Sequence, residues 1–404
     1  MRKQRLVAAG ITMLAATLAL SACGSRAASD GSSGSSEKVA TIGVIAPLSG
    51  DLSALGLGIR NSVDLAIRQA NDKNLIPGWK LQMDAEDDQA SPDVGKNAAT
   101  KLAGDDTVVG VVGNLNSSVS QSTQPVLSAA TIAQISPANT GPTLTMGADF
   151  LANPKRPYPG FFRTCTTDIV QGSVAASYIY GKGFTKIATI NDKKTYGQGL
   201  VASVTEAFKK DGGTIVDAET INPDDKDFSA VISKVKGSNP QLLYYGGEYP
   251  QAGPLGQQMR AAGLNVPLMG GDGIFDPAYI QLAGKTSNGD LATSVGSPPE
   301  TLPSAKQFIS DYAAAGFKDP YGAYGAQSFD AANAIINGLK TSLAGASDGK
   351  SARQPTIDAI QKVSFDGATG PVAFNEFGDT TNKVITVYKV VDGKWATEAT
   401  KKVE

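Results

Sequence analysis

The chain has 404 residues, which is more than one hydrophobic core normally holds, so we expect at least two lobes. Hydrophobic residues make up 41% of the chain and charged residues 18%, which argues against extended disorder or a coiled coil. The net charge of −2 offers no basic excess for a phosphate backbone, so we expect no nucleic acid partner. The chain contains no histidine, which excludes His-based catalytic triads and His-ligated zinc.

The N-terminus has the pattern of an export signal. Three basic residues among the first five precede an apolar run, residues 6–20, that is too short for a comfortable membrane-spanning helix. The run ends in Leu20-Ser21-Ala22-Cys23, which resembles the lipobox of bacterial lipoproteins. We therefore expect residues 1–22 to be a signal peptide and Cys23 to carry a lipid. The alternative is an ordinary secretory signal that happens to contain a cysteine.

The residues after this signal predict how the protein is attached to the membrane. Residues 23–38 are rich in Gly and Ser and have no apolar period, so we expect a lipidated cysteine followed by a flexible linker. The protein is then exported and anchored to the outer face of the cytoplasmic membrane. The second cysteine, Cys165, would have no intramolecular partner, so we expect it to be an inert, buried thiol and not a nucleophile.

From residue 39 onward, predicted strands and helices alternate along the chain. The predicted strands span 39–46, 80–86, 108–112, 132–135, 186–190, 214–221, 241–245, 267–270 and 384–391. The predicted helices span 59–70, 92–103, 118–130, 169–180, 200–210, 228–235, 252–262, 304–315, 327–340 and 356–362. This alternation is typical of an α/β fold with parallel, doubly wound sheets, and the length fits two such lobes. Asp392-Gly393 after the last strand indicates a hairpin.

The sequence lacks the common catalytic and cofactor motifs that it partly resembles. The glycine-rich segment 345–351 is one residue too short between its glycines for a phosphate-binding loop. Gly56-Leu57-Gly58 lacks the third glycine of a dinucleotide fingerprint. Glu86-Asp87-Asp88 lacks the spacing of a calcium loop and is better explained as capping a sheet edge. We therefore expect no catalytic residue, no cofactor and no metal.

Small polar residues follow several predicted strands at their carboxyl ends, in segments 114–118, 136–140, 192–197, 246–250 and 271–273. Open α/β sheets bind their ligands at this edge, so together these segments favour a cleft. Ser117 and Ser118 stand at a predicted helix N-terminus, where hydroxyls and free backbone N–H groups can hold an anion. Plain capping of the helix by either serine explains the same pattern without a ligand.

Several segments between about residue 39 and about residue 393 resemble those of a known protein family. The segments are Thr41–Asn71, Leu115–Ser118, Ile135–Ala138, Asp192-Lys193 with Tyr196-Gly197, Lys226–Ala230, Tyr244–Gly247, and Phe374 with Gly378-Asp379. In this order they resemble the solute-binding proteins of branched-chain amino acid ABC importers. The resemblance implies a periplasmic-binding protein fold of type I (Venus-flytrap), in which crossover strands join two lobes that close on a ligand. It implies a first lobe of 39–167 plus 296–385 and a second lobe of 168–295 plus 386–400.

The resemblance also implies a set of ligand-binding residues. Ser117 and Thr140 would hold the α-carboxylate of an amino acid. The backbone carbonyl of Ala138, together with Thr140 and Asp272, would hold the α-ammonium. The walls of the site would be Leu55, Tyr196, Glu248 and Tyr324.

Three of these positions depart from the family pattern. The family usually has Glu where Asp272 stands, and often Trp where Leu55 stands. Glu248 replaces a tyrosine, and a carboxylate beside a bare aliphatic side chain would be poorly solvated. Glu248 therefore either turns toward water or a cation, or the ligand carries an extra polar or positive group.

The predicted function is capture of branched-chain or other aliphatic amino acids by a monomer that delivers them to ABC transporter permease subunits. One alternative is the same fold binding a different polar solute, such as a polar or cationic amino acid, an amide or urea. A more remote alternative is an exported hydrolase that uses Asp272 and Glu248 as a carboxylate pair.

Overall fold

The computed structural model describes residues 37–403. The predicted signal peptide, the lipidation of Cys23 and nearly all of the predicted linker lie outside these residues.

The described chain alternates between strands and helices. The strands are β1 Lys38–Ala46, β2 Trp79–Asp87, β3 Val108–Gly113, β4 Ala133–Ser136, β5 Phe161–Arg163, β6 Lys186–Asn191, β7 Thr214–Thr220, β8 Leu242–Gly246, β9 Leu268–Gly270, β10 Leu291–Val295, β11 Ser364–Gly367, β12 Gly370–Ala373, β13 Val384–Val391 and β14 Lys394–Lys402. The helices are α1 Ser53–Asp72, α2 Pro92–Gly104, α3 Ser117–Ala129, α4 Thr143–Met146, α5 Asp168–Gly181, α6 Thr195–Lys210, α7 Ser229–Gly237, α8 Tyr249–Ala261, α9 Pro277–Ala283, α10 Lys306–Ala314, α11 Gly325–Ser342 and α12 Gly349–Ile360.

Two sheets organise these elements. The first has the strand order β2-β1-β3-β4-β5, and all of its neighbouring strands are parallel. The second has the order β14-β13-β10-β9-β8-β6-β7, parallel from β10 to β7 and antiparallel at β13 and β14. The prediction of two α/β lobes with doubly wound sheets is confirmed.

The chain crosses between the two sheets more than once. It leaves the first sheet after β5, returns after β10 to form α11 and α12 against β3 and β4, and joins the second sheet again at β13. Several connections therefore link the lobes side by side, which is the arrangement that allows them to close like a hinge. The residues at which each lobe begins and ends stay a prediction.

Both faces of the first sheet are buried. Alternate residues of β1 point to opposite sides, so Ile42 and Val44 join the core beneath α1 and α11 while Ile45 joins the core beneath α2 and α3. Strands that are covered on both faces are close to continuously apolar, and this explains why the sequence of β3 reads Val-Val-Gly-Val-Val.

The helix α1 begins six residues before its predicted start. The prediction placed the start at Ile59, where the apolar face begins, and the added turns contain Gly56 and Gly58. A Cβ at Gly56 would lie 1.9 Å from the carbonyl oxygen of Pro47, and one at Gly58 would lie 2.5 Å from that of Tyr321. The glycines therefore let the first turns of α1 approach neighbouring backbone closely, and they do not break the helix.

The carboxyl ends of the parallel strands in both sheets face a cleft between the lobes, as the polar strand ends predicted. Within the residues that the structure describes, no helix is long and apolar enough to span a membrane. Across the same range, no three His, Cys, Asp or Glu side chains are grouped so that they could share a metal ion.

Candidate functional site

A small cavity lies in this cleft and is lined from both lobes. Its lining residues are Leu55, Leu115, Asn116, Ser117, Ala138, Tyr196, Glu248, Asp272, Gly273 and Tyr324. The space among them is about 290 Å³ when the gaps between side chains and the open mouth are counted. The structure thus brings seven of the eight predicted ligand-binding residues to one cavity; their role in binding stays a prediction.

The eighth residue, Thr140, is not among those that line the cavity. It is fully buried behind the wall, and its backbone carbonyl accepts a hydrogen bond of 2.8 Å from the N–H of Asp168. This contact fastens the loop before α4 to the first turn of α5. Thr140 therefore lies where one lobe passes into the other.

The first lobe presents the N-terminus of α3 to the cavity. Asn116 is the N-cap residue and Ser117 is the first residue of the helix, and both are buried. Within residues 37–403, no side chain caps this helix end. The first backbone N–H groups of a helix have no partner within the helix, so this end can hold an anion together with the Ser117 hydroxyl.

A buried arginine fixes the loop that carries Ala138. The Arg163 guanidinium is completely buried and donates hydrogen bonds to the carbonyls of Asn139 at 2.7 Å and Gly141 at 3.0 Å. It also donates to Asp379 Oδ1 at 2.6 Å, which provides its countercharge. The shape of this wall of the cavity therefore depends on an ion pair that lies outside the cavity.

The second lobe presents a carboxylate, Asp272, just after β9. Its Oδ1 accepts hydrogen bonds from the Tyr196 hydroxyl at 2.7 Å and from Gln171 Nε2 at 2.8 Å, and its Oδ2 accepts one from the Tyr324 hydroxyl at 2.8 Å. Burial raises the pKa of Asp272, and the three donors oppose that shift. A buried carboxylate at the edge of a cavity is suited to pair with a cationic group of a ligand.

A second carboxylate, Asp168, lies close behind the first. Gln171 Nε2 also donates to Asp168 Oδ1 at 3.1 Å, so a single amide links the two acids. Burial and the charge of Asp272 raise the pKa of Asp168 to about 7. Asp168 is therefore partly protonated near pH 7, which limits the negative charge that accompanies Asp272.

Glu248 is paired with a cation. It is the N-cap residue of α8 and is 4% exposed. Lys194 Nζ lies 2.9 Å from its Oε2, and Asn116 Nδ2 donates to its Oε1 at 2.8 Å. The sequence left open whether Glu248 turns toward water or a cation, or whether the ligand carries an extra polar or positive group. In the structure, Glu248 is turned toward a cation.

Asp192 adds a third charged group beside this pair. It is fully buried, and its Oδ2 lies 3.9 Å from Lys194 Nζ. Burial and the charge of Glu248 raise the pKa of Asp192 to about 8. Burial lowers the pKa of Lys194, but the two neighbouring carboxylates outweigh that effect and raise it. Asp192 is therefore largely protonated near pH 7, beside the ion pair of Lys194 and Glu248.

Gly273 is required by close packing. A Cβ at this position would lie 2.9 Å from the carbonyl oxygen of Gly247 and 2.9 Å from Cε1 of Tyr196. The Gly273 N–H also donates to the Tyr196 hydroxyl at 3.0 Å. The absence of a side chain lets the tyrosine ring lie flat against this turn with its hydroxyl directed at Asp272.

The sequence did not single out several residues that shape the site. Leu115, Asn116 and Gly273 line the cavity, although the polar segments at the strand ends contain all three. Lys194 and Asp192 stand in the segment after β6 and could have been found in the same way. Gln171 and Arg163 lie inside elements and carry no pattern that distinguishes them from other buried polar residues.

The thiol of Cys165 is buried, as predicted, and burial raises its pKa, so it is a poor nucleophile.

The cavity has the features of a binding site. An anion-binding helix end on one lobe faces a carboxylate on the other. This combination matches a ligand that carries one negative and one positive group.

Comparisons with known proteins agree with this geometry. The model of a family described as periplasmic binding protein matches residues 39–394. A Leu/Ile/Val-binding protein homolog of Brucella melitensis is 31% identical, with 88% of this chain and 92% of that protein aligned. The Leu/Ile/Val/Thr-binding protein of Salmonella typhimurium is 32% identical, with 92% of this chain and 94% of that protein aligned.

A solved structure extends the likeness to three dimensions. The branched-chain amino acid transporter substrate binding protein of Streptococcus pneumoniae, in complex with isoleucine, aligns with a TM-score of 0.78 at 26% identity. The alignment covers 91% of this chain and 99% of that one. The family match over most of the chain, the two-lobed fold and the cavity between the lobes lead to one conclusion: this chain belongs to the periplasmic binding protein family.

Proposed function

We propose that the protein captures an α-amino acid with an uncharged side chain between its lobes and delivers it to the permease of an ABC importer. The observation that carries this proposal is the placement of Asp272 on one lobe opposite Ser117 and the N-terminus of α3 on the other. An α-amino acid presents an ammonium and a carboxylate one carbon apart. A cavity with a buried carboxylate on one wall and an anion-binding helix end on the other satisfies both groups at once.

The ligand would stabilise the closed form by touching both lobes. Its ammonium would contact Asp272 and its carboxylate would contact Ser117, so the full set of contacts exists only when the lobes are together. The remaining wall residues would surround the side chain, with Leu55 and Leu115 supplying apolar surface. The names of the relatives, which bind leucine, isoleucine, valine and in one case threonine, support a small uncharged side chain.

A cationic amino acid is the second candidate, because Glu248 lines the cavity. Its charge is already balanced by Lys194 at 2.9 Å, so a lysine or arginine side chain would bring an ammonium or guanidinium close to an existing ammonium. This argues for an uncharged side chain.

The same contacts argue against a carboxylate-pair hydrolase. Asp272 accepts hydrogen bonds from three side chains and Glu248 from two, so both acids have structural partners. We therefore propose binding without turnover, by a monomer that uses no cofactor.

We also propose that lipid on Cys23 anchors the protein to the outer face of the cytoplasmic membrane. The lipobox-like end of the apolar N-terminal run supports this, together with the membership of a family of periplasmic binding proteins.

Calorimetric titration of refolded, ligand-free protein tests the proposed function. Leucine, valine, lysine, glutamine and urea form the panel. We expect leucine or valine to bind with a one-to-one stoichiometry and lysine to bind much more weakly. Binding of urea alone, or of lysine in preference to every uncharged amino acid, would contradict the proposal.

A further inference from the structure

The side-chain amide of Asn116 has a fixed orientation in the cavity wall. Its Nδ2 lies 2.8 Å from Glu248 Oε1. An ionised carboxylate only accepts hydrogen bonds, so the atom that faces it must be the amide nitrogen. The opposite orientation would place two acceptor oxygens against each other. Glu248 thus determines which way the Asn116 amide points.

This orientation leaves the amide oxygen without a donor. Asn116 is 4% exposed and lines the cavity, and its Oδ1 has no hydrogen-bond partner among the described residues. A buried amide oxygen that makes no hydrogen bond costs on the order of 1–3 kcal/mol in proteins, so such atoms are normally satisfied. A donor on a ligand in this cavity would supply the partner.

The neighbouring charges exclude a charged donor. Lys194 pairs with Glu248 at 2.9 Å, and Asp192 stands beside both with a largely protonated carboxyl near pH 7. A second ammonium at this end would meet Lys194, and a carboxylate would meet Glu248. The donor that fits is therefore the N–H or O–H of an uncharged group.

The ligand's ammonium has a better acceptor elsewhere. Asp272 offers a buried carboxylate on the same cavity, and its hydrogen-bonding partners are Gln171, Tyr196 and Tyr324. Asn116 and Glu248 share none of these partners. The two polar groups therefore have separate sets of hydrogen-bonding partners, so an ammonium held by Asp272 leaves Asn116 Oδ1 to the ligand's side chain.

We propose that Asn116 Oδ1 selects amino acids whose uncharged side chain carries a hydrogen-bond donor, a hydroxyl or an amide, over apolar side chains of the same shape. This inference rests on the proposed function and makes it narrower. The selecting acceptor is assembled by closure, because Asn116 belongs to the first lobe and Glu248 to the second. The protein would then discriminate between amino acids in its closed state, where the Asn116 amide is held in place and water is displaced.

Threonine and valine form the sharpest pair of probes, because they have the same shape and differ by one hydroxyl in place of a methyl group. Sites that hydrogen-bond a substrate hydroxyl discriminate strongly against analogues without it. We expect threonine to bind wild-type protein at least about tenfold more tightly than valine, which corresponds to about 1.4 kcal/mol. Serine and alanine, which also differ by a hydroxyl, provide a second pair with the same expected direction.

Two variants test whether Asn116 is the residue that causes the preference for threonine over valine. Asn116→Leu replaces the amide by an apolar group of similar size, and we expect the threonine-to-valine ratio to fall to about one or below. Gln121→Ala is the matched control: Gln121 Oε1 accepts a hydrogen bond of 2.9 Å from the Thr195 hydroxyl across the cleft, on the same helix α3, and does not line the cavity. This control removes a contact between the lobes and should change both affinities by the same factor, so the ratio should stay at its wild-type value.

The outcomes separate the two proposals. A wild-type ratio of at least about ten that is lost in Asn116→Leu and kept in Gln121→Ala supports the inference. A wild-type ratio near one, or a preference that survives in Asn116→Leu, overturns the inference while leaving the proposed function intact. Failure of wild-type protein to bind any amino acid overturns both. Should Asn116→Leu not fold, Asn116→Ala takes its place, with the same expected fall in the threonine-to-valine ratio.

Discussion

The Tyr324 hydroxyl donates a hydrogen bond of 2.8 Å to Asp272 Oδ2, and this contact joins the two lobes across the cleft. Tyr324 immediately precedes α11 against the first sheet, and Asp272 follows β9 of the second. The same carboxylate is held from its own lobe by Tyr196 at 2.7 Å and Gln171 at 2.8 Å. Asp272 thus connects the position of the lobes with the charge that the cavity presents to a ligand.

Removing this carboxylate should abolish tight binding. Asp272→Ala leaves the ligand's ammonium buried without a countercharge, which costs on the order of 3–5 kcal/mol. The affinity for leucine by calorimetry is the measurement. The matched control is Asp276→Ala, which removes a neighbouring buried carboxylate that caps α9 through the Ala278 N–H at 2.7 Å. We expect the control to lower thermal stability and to keep leucine binding. A loss in Asp272→Ala of less than about tenfold, near 1.4 kcal/mol, would place Asp272 outside the site.

The pair of Lys194 and Glu248 should behave as a unit. Glu248→Tyr leaves the Lys194 ammonium and the Asn116 amide without their acceptor, so we expect weaker leucine binding and a lower melting temperature. Breaking a buried pair costs on the order of 3–5 kcal/mol, whereas replacing both partners with apolar groups costs much less. Glu248→Tyr combined with Lys194→Met should therefore recover most of the lost stability.

An exposed ion pair provides the control for this cycle. Lys234 and Glu219 lie 3.2 Å apart on the surface, and the lysine side chain is 66% exposed. Glu219→Tyr and Lys234→Met should each change stability by no more than about 0.5 kcal/mol and show no coupling. If Glu248→Tyr binds leucine as well as wild-type protein does, Glu248 is not the partner that neutralises Lys194.

The ion pair of Arg163 and Asp379 should support the wall that contains Ala138. Asp379→Asn leaves a completely buried guanidinium without its countercharge, so we expect a loss of about 3–5 kcal/mol in the free energy of unfolding by urea. The control, Asp106→Asn, removes an exposed partner of Lys350 at 3.0 Å and should cost less than about 0.5 kcal/mol. Equal losses in the two variants would show that the buried pair does not stabilise this lobe.

The pH dependence of stability should follow Asp192. Its pKa rises from 3.8 in the unfolded chain to about 8 in the folded protein, so the folded state holds this proton more tightly. Its contribution to stability is fully present below the unfolded pKa and is lost as the pH rises through the folded value. We expect the melting temperature to fall between about pH 4 and about pH 8, and to fall less in Asp192→Asn. The difference between the two proteins isolates this group from the other titrating carboxyls, and identical profiles would contradict the assignment.

The proposed lipid anchor can be tested at one atom. Cys23→Ser removes the sulfur that would carry the lipid, so we expect the variant to be released or misprocessed. The measurement is fractionation of cells together with labelling by a radioactive fatty acid, and Cys165→Ser is the control that should leave both unchanged. Full membrane association and lipid labelling of Cys23→Ser would show that the anchor lies elsewhere.

The fold could be predicted from the sequence where hydrophobic periodicity determines structure. Strands buried on both faces, such as β3, are continuous apolar runs, and most helices show an apolar face. The prediction failed where tertiary contacts override local pattern. Strands β5, which has three residues, and β10 were not predicted, and both are stabilised as strands by pairing with their neighbours in the sheets.

The residues of the site also fall into those that the sequence predicts and those that it does not. Residues at strand ends could be predicted because parallel sheets bring those ends together, and seven of the eight line one cavity. The role of Asn116 could not, because it depends on a contact with Glu248, which is 132 positions away in the chain. The same holds for Gln171, whose amide links Asp168 and Asp272. Pairings of this kind leave no periodic signal in a single sequence.

The most direct test of amino acid capture is mass spectrometry of the small molecule that purified, never-denatured protein releases when it is unfolded. The account predicts an α-amino acid with an uncharged side chain, present at up to one molecule per chain and absent from Asp272→Ala prepared in the same way. Release of a compound without an α-ammonium and an α-carboxylate, in equal amounts from both proteins, would contradict it.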